Sequence, residues 1–265
     1  MNKFYFTITE GRSGSAWLAR FMSENLSTKA IHEPLEIDDF GTKMPDIKIM
    51  RTFNNLGNNS IIKNFWGKKF KSIENEDIYV ETNHTLSKCG LVENLSDSNL
   101  SKNTVLIILN RNIIDLCTSY MNRNDFVNIT VIWQWYLHTS YKKKIINSKP
   151  FEKLGILGSA LWYCYEMLAR KNYYKKVFSD RVNIIEEDLD VLSSENGARN
   201  FLEKIGVNKN CIIPQKTNEY IVNNQRKIED SKIIRGRIEK YVSQLKSELD
   251  IEDIVNNLIK KNFTF

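Results

Sequence analysis

The sequence has few cysteines and only four prolines, and none of its uncharged runs is long enough to cross a bilayer. Its cysteines, Cys89, Cys117, Cys164 and Cys211, lie far apart and form no C-x-x-C pair, so neither a zinc site nor a disulfide framework is indicated. We expect reduced, mostly buried thiols. No stretch is both apolar and long enough to cross a bilayer. The sequence therefore predicts no membrane partner.

We also expect no secretory signal. Residues typical of a strand begin at Lys3, which leaves no room for the charged, apolar and cleavage regions of a signal peptide. We therefore expect a cytoplasmic protein.

The charge balance is basic, with 38 lysines and arginines, 32 acidic residues and a formal net charge of +6. No long basic run, aromatic patch of the RNA-recognition type or paired Cys/His spacing accompanies this charge. We therefore expect no nucleic-acid partner. A chain of 265 residues that is 42% hydrophobic and 26% charged is long enough to bury its own core, and we predict a single domain over residues 1–265.

Short strand-like segments alternate with segments of helical periodicity. The expected strands are residues 3–9, 28–31, 78–81, 104–109 and 182–186. The longer expected helices are residues 126–146, 156–178, 195–205, 233–249 and 251–261. This alternation predicts an α/β fold with an open, mostly parallel sheet flanked by helices on both faces.

The loop after the first strand has the composition of an anion-binding turn. Gly11 and Gly14 permit tight backbone turns, Ser13 and Ser15 supply hydroxyl groups, and Arg12 supplies a positive charge. The helix that follows would point its first N–H groups at a bound anion. An ordinary strand–turn–helix connection is the alternative for this stretch taken alone.

Ligands of open α/β sheets bind outside the carboxyl ends of the strands. The residues expected there, besides the loop, are His32, Glu33, Thr82 to His84, Arg111, and Glu186 to Asp188. The loop lacks the G-x-x-x-x-G-K-[ST] pattern of nucleoside-triphosphate P-loops, and the chain lacks the G-x-G-x-x-G pattern of dinucleotide folds.

The segment Arg12-Ser13-Gly14-Ser15-Ala16-Trp17 resembles the phosphosulfate-binding loop of sulfotransferases that use 3'-phosphoadenosine 5'-phosphosulfate (PAPS). Arg111, at the end of the most apolar strand, and Ser119 are similar to the pair that holds the 3'-phosphate in that family. The resemblance implies a P-loop-NTPase-like sulfotransferase architecture and PAPS as the cofactor, with no metal. It further implies that Trp17 stacks on adenine, whereas its spacing alone fits equally well a helix residue that packs on the sheet. Arg226 and Lys227 would stand for a late basic loop returning to the 3'-phosphate.

The resemblance also suggests the catalytic groups. Arg12 lies where many family members have lysine; it would neutralise the leaving phosphate but can hardly donate a proton. The base that accepts the acceptor's proton is left open between three residues. His84 is positioned like the histidine of small-molecule sulfotransferases, and Glu33 or Glu81 could correspond to the glutamate of carbohydrate-acting members.

The sequence thus predicts a sulfotransferase that acts on a hydroxyl or amine of a small molecule or carbohydrate. Two alternatives remain at this point. One is a nucleotide kinase-like phosphotransferase with a degenerate P-loop, and the other is a non-catalytic protein that binds nucleotides or nucleic acids.

Overall fold

A computed structural model describes residues 2–33, 36–127, 135–208, 210–215 and 225–265, without the side chains of residues 37 and 225–229. The chain divides into two compact units. The first comprises Met1–Arg111, Tyr174–Thr217 and Phe265, and the second comprises Asn112–Tyr173 and Asn218–Thr264. Over the described ranges, no helix combines the length and the apolar character needed to span a bilayer.

The first unit contains a parallel sheet of five strands among the described residues. The strands are β1 (Lys3–Ile8), β2 (Ala30–Ile31), β3 (Ile78–Glu81), β4 (Thr104–Asn110) and β5 (Asn183–Asp188). Their order is β2-β3-β1-β4-β5, and every pairing is parallel. The predicted α/β class with a parallel sheet is confirmed.

The described helices flank this sheet or belong to the second unit. They are α1 (Ser15–Leu26), α2 (Ile47–Leu56), α3 (Ser60–Ile73), α4 (Leu91–Ser96), α5 (Ile113–Asn122), α6 (Lys149–Glu152), α7 (Gly155–Phe178), α8 (Leu189–Leu192), α9 (Glu195–Lys204), α10 (Gln225–Glu248) and α11 (Ile251–Lys260).

The two faces of the sheet follow from the alternation of side chains along each strand. On one face, Tyr5 of β1 and Ile107 of β4 belong to an apolar cluster with Leu18 and Phe21 of α1 and Phe201 of α9. On the other face, Phe6 of β1 contacts Phe70 of α3 with ring centroids 6.5 Å apart. Burial on both faces explains why β4 is an almost continuous apolar run rather than an alternating one.

The strand order positions the loop after β1. The chain passes from β1 to the edge strand β2, returns through β3 to one side of β1, and then places β4 on the other side. The strand order therefore reverses at β1. Open α/β sheets bind ligands outside the carboxyl ends of the strands at such a switch point.

In the second unit, α5 packs against α10. Asn122 Nδ2 donates to Ser231 Oγ at 2.8 Å, and Arg235 pairs with Asp115 at 2.5 Å. These contacts join segments more than 100 residues apart in the sequence.

Within the helix expected over residues 126–146, residue 135 is helical, but the prediction is wrong for residues 136–146, which form turns and bends without regular secondary structure. The buried carboxylate of Glu166 accepts hydrogen bonds from the backbone N–H groups of Ile145 and Ile146. Glu166 is also paired with Arg170 at 2.8 Å, and Trp162 Nε1 donates to the Ile146 carbonyl. The Glu166 carboxylate and the Trp162 indole thus form hydrogen bonds with backbone groups that would bond to each other within a helix.

Candidate functional site

The loop between β1 and α1 has an unusual backbone. Gly11, Arg12 and Gly14 have φ angles of 87°, 57° and 88°, all in the left-handed region. This conformation costs an L-residue such as Arg12 about 1–2 kcal/mol, so the surrounding structure must maintain it. Backbone strain of this kind is concentrated at ligand-binding turns.

Close packing explains why glycine is required at two positions of the loop. A Cβ atom on Gly11 would lie 3.1 Å from Nδ1 of His84, and one on Gly14 would lie 2.5 Å from Cδ1 of Leu189. Within the loop, the hydroxyls of Thr9 and Ser13 share a hydrogen bond. The loop is therefore held between the residues that follow β3 and those that follow β5.

Helix α1 begins directly after the loop, and no side chain caps it. Its N-cap residue is Gly14, which has no side chain that could accept a hydrogen bond from the first turn. The first N–H groups of a helix have no partner within the helix, and they carry a partial positive charge. This end of α1 is thus suited to an anionic ligand.

Two arginines meet at the loop. Arg111, just beyond β4, donates from Nη1 to the backbone carbonyl of Arg12 at 2.6 Å. The Nε of Arg12 is buried and has no hydrogen-bond partner among the described residues. Among the described residues, neither guanidinium forms an ion pair with a carboxylate. Two unneutralised cations beside an uncapped helix make a strongly electropositive site.

A chain of polar contacts borders the loop on the β2–β3 side. Lys88 Nζ lies 2.8 Å from His84 Nδ1, and His84 Nε2 lies 3.5 Å from Glu33 Oε1. His32 Nε2 is 3.8 Å from the same Glu33 oxygen, and His32 Nδ1 is 3.2 Å from Thr82 Oγ1. Two imidazoles therefore approach one carboxylate.

The surroundings keep both imidazoles neutral. Burial, followed by the charges of Lys88 and His32, lowers the pKa of His84 well below its usual value. Burial also lowers the pKa of His32, although Glu33 opposes this effect. Glu33 and His32 are the accessible members of the group, each with 33% of its side chain exposed, against 10% for His84.

Glu81 is separated from this accessible group. Its side chain is completely buried and pairs with Lys69 at 2.7 Å, and it accepts a hydrogen bond from the Tyr79 hydroxyl. Burial and the Glu81 charge raise the pKa of Tyr79, so Tyr79 remains a donor. The structure therefore places Glu81 in a buried ion pair rather than on an open surface.

The remaining predicted ligands have different surroundings. Trp17 is buried, stacks on Phe21 with ring centroids 5.2 Å apart, and donates from Nε1 to the Pro214 carbonyl. Ser13 and Ser15 are buried, and Ala16 is half-buried at the start of α1.

Ser119 and the late basic pair belong to the second unit. Ser119 is half-buried on α5, whereas Arg111 ends the first segment of the first unit, so their pairing stays a prediction. Arg226 and Lys227 begin α10, and their side chains lie outside the described residues.

Two contacting residues, Lys88 and Leu189, were not predicted from the sequence. Lys88 follows His84 by four residues, a spacing at which helical side chains meet, and the Leu86–Lys88 turn brings them together. Nothing in the sequence indicates that Leu189 packs on Gly14.

No protein-family model matches the chain, and no curated protein sequence is significantly similar to it. Among solved structures, it is similar to a sulfotransferase domain from the curacin biosynthetic pathway, with 13% sequence identity and a TM-score of 0.43. The alignment covers 79% of this chain and 75% of that domain.

Proposed function

We propose that this protein is a sulfotransferase that moves the sulfuryl group of PAPS to a hydroxyl or amine of a small molecule or carbohydrate. The observation that carries the proposal is the meeting of Arg12 and Arg111 at an uncapped helix end, with no carboxylate partner for either among the described residues. Such a site calls for a ligand with more than one anionic group.

The residues at the loop suit such a nucleotide. The backbone N–H groups of residues 12–16 and the Ser15 hydroxyl would hold the 5'-phosphate. The planar fork of Arg111 would hold the 3'-phosphate, with Ser119 as a neutral donor. The buried Nε of Arg12, which has no partner in the described structure, offers a further donor to the anion. The stack of Trp17 on Phe21 supports a packing role for this tryptophan.

The nucleotide supplies an activated sulfuryl group, and the protein must handle the charge and the proton that its transfer releases. Arg12 supplies the positive charge that stabilises the negative charge developing on the leaving phosphate. The acceptor loses one proton as its new bond to sulfur forms. We assign that proton to Glu33, because Glu33 is partly exposed and Glu81 is completely buried in an ion pair.

Isothermal titration calorimetry tests this proposal. We expect 3'-phosphoadenosine 5'-phosphate, the product nucleotide, to bind more tightly than ADP and equally well with and without magnesium. Equal affinity for ADP would contradict the proposal. Magnesium-dependent binding of ATP in preference would identify a phosphotransferase instead, and nucleic-acid binding that weakens steeply with salt would identify a nucleic-acid binder.

A further inference from the structure

The contact between Lys88 and His84 determines what His84 can do. A lysine ammonium has three N–H donors and no acceptor. When it lies 2.8 Å from His84 Nδ1, that ring nitrogen must accept the hydrogen bond and therefore carries no proton. A neutral imidazole holds a single N–H, which is then on Nε2.

The Nε2 atom of His84 lies near the Glu33 carboxylate. The two heavy atoms are 3.5 Å apart, which is longer than a formed hydrogen bond and short enough to tighten when a substrate closes the site. A histidine that holds a proton on Nε2 and accepts at Nδ1 has no free lone pair for a substrate proton.

We propose that Lys88 holds His84 in the Nε2–H tautomer, so that His84 is a hydrogen-bond donor that positions the Glu33 carboxylate and is not itself the base. The role of Glu33 in this inference rests on the proposed function. The tautomer of His84 does not depend on that function. Lys88 and His84 are positioning residues here, and Glu33 is the group that meets the acceptor.

The neighbouring groups agree with this assignment. A second proton on His84 would have to be placed on Nδ1, facing the Lys88 ammonium at 2.8 Å. His32 also approaches Glu33 and has its own polar contact with Thr82.

Nitrogen-15 NMR of the full chain, labelled at histidine, tests the tautomer without nucleotide or acceptor. The sequence has three histidines, and a His84→Gln variant assigns the signals of His84. We expect wild-type His84 to be neutral at pH 7, with its proton on Nε2. If the wild-type spectrum showed a charged His84, or a proton on Nδ1, that result by itself would overturn the inference.

A Lys88→Met variant tests the cause. Methionine keeps the length of the side chain and removes the donor and the charge that keep a proton off Nδ1, so His84 should bind a second proton there at a higher pH and lose the pure Nε2–H signature. If it persisted in folded Lys88→Met, Lys88 would not be what holds the tautomer. The matched control is the double variant Lys69→Met/Glu81→Gln, which removes another buried ammonium with its partner neutralised and should leave the His84 spectrum unchanged.

The two proposals fail separately. Loss of the 3'-phosphate preference in calorimetry would contradict the sulfotransferase assignment and leave the His84 spectrum as evidence for the tautomer. The opposite tautomer would contradict the role of Lys88 and leave nucleotide binding untouched.

Discussion

Arg111 donates a 2.6 Å hydrogen bond from its guanidinium to the backbone carbonyl of Arg12. This bond joins the end of β4 to a loop residue held in the left-handed conformation. It leaves the other guanidinium nitrogens of Arg111 free to bind a ligand, because the described residues include no carboxylate partner for it. The two residues therefore form one structural and electrostatic unit.

Substitution of Arg111 by alanine should remove the preference for a 3'-phosphate. A charged hydrogen-bonded contact is worth about 1.5–3 kcal/mol, so the affinity ratio of 3'-phosphoadenosine 5'-phosphate to ADP should fall roughly ten- to hundredfold. Calorimetry measures both affinities. Arg199→Ala is the control, since Arg199 is an exposed arginine paired with Glu195 on α9. An unchanged ratio in Arg111→Ala would remove Arg111 from the phosphate site.

Substitution of Arg12 should act mainly on turnover. Loss of a cation that stabilises the leaving group should lower kcat by about 10²–10³-fold in Arg12→Ala, with a smaller effect on nucleotide affinity. Arg12→Lys should recover much of the loss because it keeps the charge. Alanine experiences the same left-handed strain as arginine, so backbone conformation does not distinguish these variants. Full turnover in Arg12→Ala would disprove the leaving-group role.

Glu33→Gln and Glu81→Gln should have different effects. Loss of the base in Glu33→Gln should reduce kcat by about 10²–10⁴-fold while the protein stays folded. Glu81→Gln leaves the buried Lys69 ammonium without its counter-ion, and this should lower the free energy of unfolding by roughly 3–5 kcal/mol. Steady-state kinetics and urea unfolding separate the two outcomes. Normal turnover in Glu33→Gln would return the role of base to His84 or Glu81.

The stability of the protein should fall as the pH drops below the usual histidine value of about 6.5. The pKa of His84 is lowered in the folded state, mainly by burial. Below about pH 6.5, His84 therefore binds a proton in the unfolded chain but not in the folded chain. The unfolding free energy then decreases by up to about 1.4 kcal/mol per pH unit for this group. Urea unfolding between pH 7.5 and 5.5 measures the slope.

His84→Gln should flatten that slope. His138→Gln is the comparison. Burial also lowers the pKa of His138, but His138 is only half-buried, so its substitution should flatten the slope less than His84→Gln does. Equal slopes in the wild type and His84→Gln would show that His84 is not kept neutral by the fold.

Local sequence patterns predicted most of the regular structure. The strand expected at residues 78–81 coincides with β3, and the helix expected at residues 156–178 coincides with α7 apart from one residue. Both segments have strong local signals, β-branched and aromatic residues in the strand and apolar residues at helical spacing in the helix. The helix prediction failed for residues 136–146, where the backbone N–H groups of Ile145 and Ile146 donate to the carboxylate of Glu166, about 20 residues away.

The sequence by itself determined the α/β class and the residues at the carboxyl ends of the strands, because both depend on local patterns and on the known chirality of parallel sheets. The tertiary structure alone decided their chemical partners. It paired Glu81 with Lys69, pointed Lys88 at His84, and left Arg12 and Arg111 together at the loop. Charge partners depend on distances across the fold, and no pattern along the chain encodes such distances.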